Sequence, residues 1–220
     1  METLPQAGSD GRVSVLPEKR FPIRKLIIGI TGASGSLYAH LMLSRLRTFR
    51  DRFEEVVVVV SETAEQVWKY ELPGIPLDTA PFARHAPDVF FAPPASGSSG
   101  YDAMIIIPCS TGTLGRIAAG TADDLMTRAA DVILKERKKL VLVVREAPYS
   151  RIHIRNMLAV TDAGGIICPA SPGFYLHPAT IGELCETVVT RALELAGVET
   201  GARGFMAGQQ PGPRSECLPG

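Results

Sequence analysis

The chain has 220 residues, of which 45% are hydrophobic, so it is long enough to bury the core of one domain. Its 23 lysines and arginines balance 23 aspartates and glutamates, and a chain without net charge is not drawn electrostatically to nucleic acid or to an anionic membrane. We therefore expect neither kind of partner. We expect a ligand that is selected by the side chains and backbone groups of its own binding site.

The four cysteines, Cys109, Cys168, Cys185 and Cys217, are far apart and form no C-x-x-C pair. This spacing indicates neither a zinc site nor a disulfide framework, and the histidines have no ligand-like spacing. The apolar runs are much shorter than the roughly 20 residues that cross a bilayer, and no signal-peptide pattern opens the chain. We expect a cytoplasmic protein that uses no metal.

Short β-branched runs alternate with helical patterns between two irregular ends, 1–22 and 201–220, which we expect to be flexible. The predicted strands are 25–31, 56–61, 103–108, 140–145 and 165–168. The predicted helices are 36–47, 62–71, 124–137, 151–163 and 181–196. This alternation predicts a single domain, 23–200, with a parallel sheet between two helical layers, an αβα fold of the Rossmann-like or flavodoxin-like kind. Ligands of such folds bind at the carboxyl ends of the strands.

The first strand-end loop carries Gly29-x-x-Gly32-x-x-Gly35 and opens a helix. Glycines allow the backbone to approach an anion, and helix N–H groups bind it. The motif alone fits a dinucleotide fingerprint, a mononucleotide phosphate loop or a tight turn. The second strand-end loop tests the dinucleotide interpretation, because such a site requires an acidic residue at the end of the second strand. In this chain Ser61 holds that position, and Glu62 already begins a helix. This weakens the dinucleotide interpretation without excluding it.

The third loop, "PCSTGTLGRIAAG", brings hydroxyl groups to the start of a helix. Ser110, Thr111 and Thr113 supply the hydroxyls and Gly112 supplies backbone freedom, so these residues suit a flat heterocycle or a phosphate. The alternative is an ordinary helix cap, which also favours serine and threonine.

The fourth loop begins with Arg145 and Glu146, which suit phosphate binding and proton transfer respectively. Adjacent strand residues point to opposite faces, so both can face one pocket only if the strand has already ended. A solvated ion pair is the alternative.

Arg128 and Lys135 share one helical stripe and could supply positive charge to a site. Asp124 and Asp131 fall on the same stripe, so the alternative is an exposed charge ladder. Tyr175 follows the last predicted strand, where a packing role is the alternative.

Seven blocks in order resemble the flavin prenyltransferase family of the UbiX type, and the similarity extends from about residue 25 to residue 198. They are "GITGASG", "VVSETAEQVWKYE", "APPASGSS", "PCSTGTLGRIAAG", "TRAADVILKERKKLVLVVREAPYS", "NMLAVTDAGGIICPASPGFYLHP" and the closing helix with Arg191. The resemblance implies an enzyme that uses no metal and joins a dimethylallyl group, from the monophosphate or the diphosphate, to N5 and C6 of reduced FMN. It also implies a dodecamer whose product, prenylated FMN, passes to a UbiD-type decarboxylase.

The resemblance also assigns site residues. Ser34 would lie near the reacting flavin edge, and Glu71 matches a further acidic position near the site; with Glu146 and Lys135 they form the expected catalytic set. The residues that would hold FMN are Gly32, Ala33, Ser34, Ser61, Ser110, Thr111, Gly112, Thr113 and Arg145. Those that would surround the prenyl phosphate are Lys135, Glu146, Tyr175 and Arg191.

Two features depart from the resemblance. Phe90 or Phe91 stands where relatives carry a tryptophan, before the segment 93–99 that helps to cover the prenyl site across a subunit boundary in relatives. The tail after Gly201 is rich in glycine and proline, unlike the ordered tail of many relatives.

Two other functions compete with prenyl transfer. One is an FMN-dependent cysteine decarboxylase, which would carry a catalytic histidine and a "PASANT"-like block, whereas this chain reads "PASGSS". The other is an FMN carrier without catalysis, which would have no need of the residues assigned to the prenyl phosphate.

Overall fold

The structure, a computed structural model, describes residues 23–201. The segments that we expect to be flexible, 1–22 and 201–220, lie outside the described residues except for Gly201. In the described part of the chain, no helix is long and apolar enough to cross a membrane.

Parallel strands form one sheet of six strands at the centre of the described domain. The strands are β1 (Lys25–Ile30), β2 (Glu55–Val60), β3 (Ala83–His85), β4 (Ala103–Cys109), β5 (Lys139–Val144) and β6 (Ile166–Pro169). The sequences of β1, β2, β4 and β5 are nearly continuous apolar runs and are buried on both faces, as expected of inner parallel strands. The short strand β3 was not predicted, because its residues are polar or exposed and show no strand pattern.

Helices cover both faces of this sheet. They are α1 (Ser36–Thr48), α2 (Glu62–Glu71), α3 (Thr111–Ala118), α4 (Leu125–Lys135), α5 (Arg151–Asp162) and α6 (Ile181–Ala196). Buried side chains of α1, α2 and α6 pack on one face of the sheet, and those of α3, α4 and α5 pack on the other. Because β-strand side chains alternate, Ile28 contributes to the first core and its neighbour Ile27 to the second. The predicted three-layer αβα fold is confirmed.

The strand order is β3-β2-β1-β4-β5-β6, so the chain moves outward in one direction from β1 and in the other direction from β4. The connections after β1 and β4 therefore leave a crevice at the carboxyl edge of the sheet, where ligands of this topology bind. All four loops selected from the sequence lie at this edge.

Thr31 ties the two central strands together just where this crevice begins. Its hydroxyl donates to the carbonyl oxygen of Pro108 at 2.7 Å and accepts from the N–H of Ser110 at 2.8 Å. The side chain is 3% exposed, so water cannot replace either bond. Thr31 thus fixes the start of the third loop relative to the first.

Replacing Thr31 with valine preserves the side-chain shape but leaves the N–H of Ser110 without its acceptor. We expect the free energy of unfolding, measured by urea denaturation, to fall by about 2 kcal/mol. The control is Thr161→Val, because Thr161 is exposed and its hydroxyl bonds only within its own helix; it should change stability by less than about 0.5 kcal/mol. Equal effects of the two substitutions would contradict the role of Thr31.

Candidate active site

The N-terminus of α1, which follows the glycine loop after β1, binds a carboxylate of the protein itself. Glu71, the last residue of α2, accepts hydrogen bonds from the N–H of Gly35 at 2.9 Å and from the N–H of Ser36 at 2.7 Å. These are the first free donors of α1, where the helix dipole is positive. The N-terminus of α1 is therefore already occupied by an anion, and this end of the helix is not an open phosphate site.

Glu71 also contacts Ser34, the exposed residue of this loop. Partial burial opposes ionisation of the carboxyl, but hydrogen bonds from Ser34, Ser36 and Gly35 outweigh it and hold the pKa of Glu71 below its ordinary value. Ser34 and Glu71, two of the four residues that the resemblance assigns to the catalytic set, therefore lie together. Ala33 is buried beside them.

Gly32 and Ser61 adjoin each other at the ends of β1 and β2. A Cβ atom at position 32 would lie 2.5 Å from the hydroxyl oxygen of Thr63, so only glycine fits there. Ser61 caps α2 by accepting from the N–H of Ala64 at 3.2 Å, and its hydroxyl lies 3.1 Å from that of Thr63. Glu62 and Glu65 stand in the first turn of α2, which makes this helix end less favourable for a second anion.

The N-terminus of α3 is open. Ser110 caps this helix, because its hydroxyl accepts from the N–H of Thr113 at 3.2 Å, so the capping interpretation of the loop is correct as far as it goes. The N–H groups of Thr111 and Gly112, which lie between Ser110 and Thr113 in the first turn of the helix, have no acceptor within the described residues. A Cβ atom at Gly112 would meet nothing closer than the Ser110 hydroxyl at 4.0 Å, so space lies beside these donors. This arrangement fits a phosphate or another anionic group.

Arg145 and Glu146 lie next to this open helix end. The strand β5 ends at Val144, one residue before the predicted end, so the alternation that would separate the two side chains no longer applies. The N–H of Arg145 bonds to the carbonyl oxygen of Cys109 at 3.2 Å, which holds it beside the start of the third loop. Arg145 is exposed, and the half-buried Glu146 accepts from the N–H of Ala147 at 2.9 Å.

A groove of about 400 Å³ follows β6 at the side of this edge, and its lining includes Tyr175 and Arg191. The ring of Tyr175 lies over Gly173, where a Cβ atom would approach it to 2.7 Å, and the N–H of Gly173 bonds to Thr187 of α6 at 3.0 Å. Arg191 is exposed and lies 3.4 Å from the carboxylate of Glu194. Two of the residues assigned to the prenyl phosphate thus share one groove.

Lys135 is not brought to this site within one chain. It ends α4 near the start of β5, where Lys138 and Lys139 contact Asp102 at the amino edge of the sheet. Because β5 has six residues and a strand rises about 3.3 Å per residue, Lys135 lies roughly 20 Å from the end of β5. Its amine pairs with Glu136 at 2.5 Å, beside Gly97 of the segment 93–99.

The predicted charge ladder on α4 is only partly present. Arg128 pairs with Asp131 at 2.9 Å, but Asp124 pairs with Arg116 of α3 at 2.7 Å. Arg128 also donates to the carbonyl oxygen of Ala95 at 3.2 Å. In the part of the chain that the structure describes, no three metal-ligating side chains form a group.

Comparisons with known proteins match this architecture. The flavoprotein family model matches residues 15–193. The flavin prenyltransferase UbiX of Thermoplasma acidophilum is 43% identical over 79% of this chain and 95% of its own length, and that of Pseudomonas aeruginosa is 40% identical over 79% and 90%. The chain belongs to the UbiX-type flavin prenyltransferase family.

Solved structures agree with this family. The structure of AnUbiX (PadA1) in complex with FMN and dimethylallyl pyrophosphate is 41% identical, covers 86% of this chain and all of its own, and superimposes with a TM-score of 0.78. A dodecameric FMN-dependent UbiX-like decarboxylase of Escherichia coli O157:H7 is 42% identical with a TM-score of 0.76, at the same coverage. The cysteine decarboxylase TvaF is only 18% identical with a TM-score of 0.55, so it shares the fold alone.

The sequence patterns did not reveal which residues hold the loops in place. Thr31 and Arg116 lie inside blocks that carry the family resemblance, but no pattern assigns either of them a role, and their partners are known only from the fold. The resemblance placed Glu71 near the site, but the capping of α1 by its carboxylate is a tertiary contact across 35 residues of sequence.

Replacing Glu71 with glutamine removes the charge at the α1 N-terminus and preserves the side-chain shape. We expect the free energy of unfolding near pH 7 to fall by about 1 kcal/mol, a modest value because the carboxylate is partly exposed. Because the folded-state pKa is lowered, this stabilisation is present above the ordinary value of 4.5 and is lost as pH falls through the folded pKa.

Urea denaturation between pH 3 and pH 8 measures this difference, with Glu199→Gln as the exposed control on the far side of the domain. A difference between wild type and Glu71→Gln that stays the same at the lowest pH would contradict the charge interaction.

Proposed function

We propose that this chain transfers the dimethylallyl group of dimethylallyl phosphate or diphosphate to N5 and C6 of reduced FMN. Its product, prenylated FMN, would serve a UbiD-type decarboxylase in the cytoplasm. The observation that carries the proposal is the open N-terminus of α3 beside Arg145 and Glu146, at the crevice between β1 and β4. The 41% identical relative that binds both FMN and dimethylallyl pyrophosphate supports it.

The residues that would hold FMN fit the cofactor in charge and in space. The α3 N-terminus offers Thr111 and Gly112 N–H groups and the hydroxyls of Ser110 and Thr113, and Arg145 adds a positive charge, so these groups suit the phosphate. Ser61 lies on the other side of the crevice. Because Glu71 already occupies the α1 N-terminus, Gly32, Ala33 and Ser34 are left to border the uncharged ring system.

Reduced FMN supplies two nucleophilic atoms, N5 and C6, once it is bound. The allylic C–O bond breaks with its electron pair on the departing phosphate, and the prenyl carbons bond to N5 and C6. Two protons are released, from N5 and from C6, while the allylic double bond and the phosphate each take up one. The chain must therefore carry protons at two places.

Glu146 is the proton carrier on the phosphate side in this proposal. It lies at the end of β5 next to Arg145, and its carboxyl can donate to a phosphate oxygen as the ester bond breaks. Tyr175 and Arg191, in the neighbouring groove, would bind the phosphate as its charge increases. Ser34, hydrogen-bonded to Glu71, would accept and pass on a proton on the flavin side.

Lys135 would reach this site only from a second copy of the chain. It lies at the opposite edge of its own sheet, beside the segment 93–99. A homo-oligomer is supported by exposed apolar side chains on α5, where Ile152, Ile154 and Leu158 are each more than half exposed, and by the dodecameric relative. We propose a dodecamer in which Lys135 of one subunit completes the prenyl-phosphate site of another.

Glu146→Gln tests the proposed chemistry. Purified protein is incubated without oxygen with reduced FMN and either dimethylallyl phosphate or the diphosphate, and the flavin mass is measured. The wild type should add a five-carbon unit. Glu146→Gln should bind FMN normally but form product at least about 100-fold more slowly, because a positioned proton donor contributes roughly that factor. Glu199→Gln is the control and should react normally. An unchanged rate in Glu146→Gln refutes this role of Glu146, and a wild type that forms no prenylated flavin refutes the function.

Subunit complementation tests the shared site. Lys135→Ala and Glu146→Gln should each be nearly inactive, since each damages every site of its own oligomer. When the two variants are dissociated and reassembled together, some sites receive intact Lys135 from one subunit and intact Glu146 from the other. For randomly mixed subunits contributing one residue each, we expect up to about a quarter of wild-type activity to return. Recovery of no activity by verified hybrid oligomers would contradict a shared site.

A further inference from the structure

Arg116, on α3, connects the proposed FMN-binding loop to the start of α4. Its guanidinium lies 2.7 Å from the carboxylate of Asp124, 2.9 Å from that of Asp123 and 3.5 Å from the hydroxyl oxygen of Thr113. Thr113 in turn lies 3.0 Å from the hydroxyl of Ser110. One planar side chain therefore links two carboxylates to the pair of hydroxyls at the α3 N-terminus.

The acidic side of this link is firmly held. Asp124 caps α4 by accepting from the N–H of Thr127 at 2.7 Å, and the Thr127 hydroxyl also contacts both carboxylates. Thr127 is 1% exposed. Because α4 packs into the core and Asp124 caps it, the Asp124 carboxylate has little freedom, and it fixes the position of the guanidinium.

The hydrogen-bond directions in this link are also constrained. A guanidinium can only donate, so Thr113 accepts from Arg116. Thr113 accepts from Ser110 as well, while Ser110 accepts from the N–H of Thr113. Both lone pairs of the Thr113 hydroxyl are then used, and its own proton is left to donate to a further group. Within the described residues no acceptor for that proton is present.

We propose that Arg116 is a positioning residue that orients the Thr113 hydroxyl toward FMN. This inference rests on the proposed function, in which that hydroxyl contacts the cofactor. Arg116 does not itself bind the cofactor phosphate, because two carboxylates neutralise its charge and give the three side chains a net charge of −1. It acts through Thr113.

A double-mutant cycle tests this coupling through the dissociation constant of FMN, measured by flavin fluorescence. Thr113→Val removes the hydroxyl at nearly constant volume and should weaken FMN binding roughly tenfold, the worth of about one hydrogen bond. Arg116→Met should weaken it roughly fivefold. If Arg116 acts through Thr113, the double variant should bind as Thr113→Val does, and a loss near the product of about fiftyfold overturns the inference.

Arg116→Lys separates positioning from simple stabilisation. Lysine can pair with Asp124, but its single ammonium cannot bridge the carboxylates and Thr113 as a planar fork does. We expect Arg116→Lys to unfold at nearly the wild-type temperature and still to bind FMN as weakly as Arg116→Met; full recovery of affinity overturns the inference. If Arg116→Met fails to fold, Arg116→Lys takes its place in the cycle.

Arg47→Met is the matched control, since Arg47 also ties a helix to a loop, through the carbonyl oxygens of Asp78 and Ala80, but lies at the amino edge. It should leave FMN affinity unchanged, and weakening equal to that of Arg116→Met overturns the inference. Normal FMN binding by Thr113→Val would overturn both the proposed contact and this inference. Weak binding by Thr113→Val with additive losses in the cycle would overturn only the inference about Arg116.

Discussion

The carboxylate of Glu71 on the N-terminus of α1 is the interaction on which the site depends. Three helices begin at the carboxyl edge near the crevice, and each offers a positive end to an anion. Glu71 neutralises that of α1, and acidic residues in the first turn reduce that of α2. Of these three helix ends, only that of α3 has, within residues 23–201, neither a carboxylate bonded to its N–H groups nor an acidic residue in its first turn, and it lies next to Arg145. In the proposed function, this asymmetry sets the orientation of FMN in the crevice. The phosphate lies toward α3 and the ring system lies toward Ser34.

The two edges of the sheet then divide the proposed reaction between subunits. The carboxyl edge carries Ser34, Glu146, Tyr175 and the α3 N-terminus, while Lys135 lies at the amino edge. Because β5 separates these edges by roughly 20 Å, one chain cannot close both halves around a small ester. An oligomer is thus part of the proposed chemistry, since burial of the site and delivery of the lysine would come from the same contact.

The sequence predicted those elements whose signal is local. Continuous apolar strands and amphipathic helices predicted the layers, and the bounds of α2 and α6 agree with the structure. The exposed strand β3 has no such pattern. Contacts between distant segments could not be predicted, because no spacing rule links Glu71 to Gly35 or Thr31 to Pro108. The distance between Lys135 and Glu146 likewise depends on the direction of α4 across the sheet, which only the fold defines.

A structure of the FMN complex tests most directly which helix N-terminus binds the phosphate of FMN. Phosphate oxygens should lie about 3 Å from the N–H groups of Thr111 and Gly112, with the carboxylate of Glu71 still bound to the N–H groups of Gly35 and Ser36. A phosphate bound to Gly35 and Ser36, with Glu71 displaced, would contradict the proposed orientation.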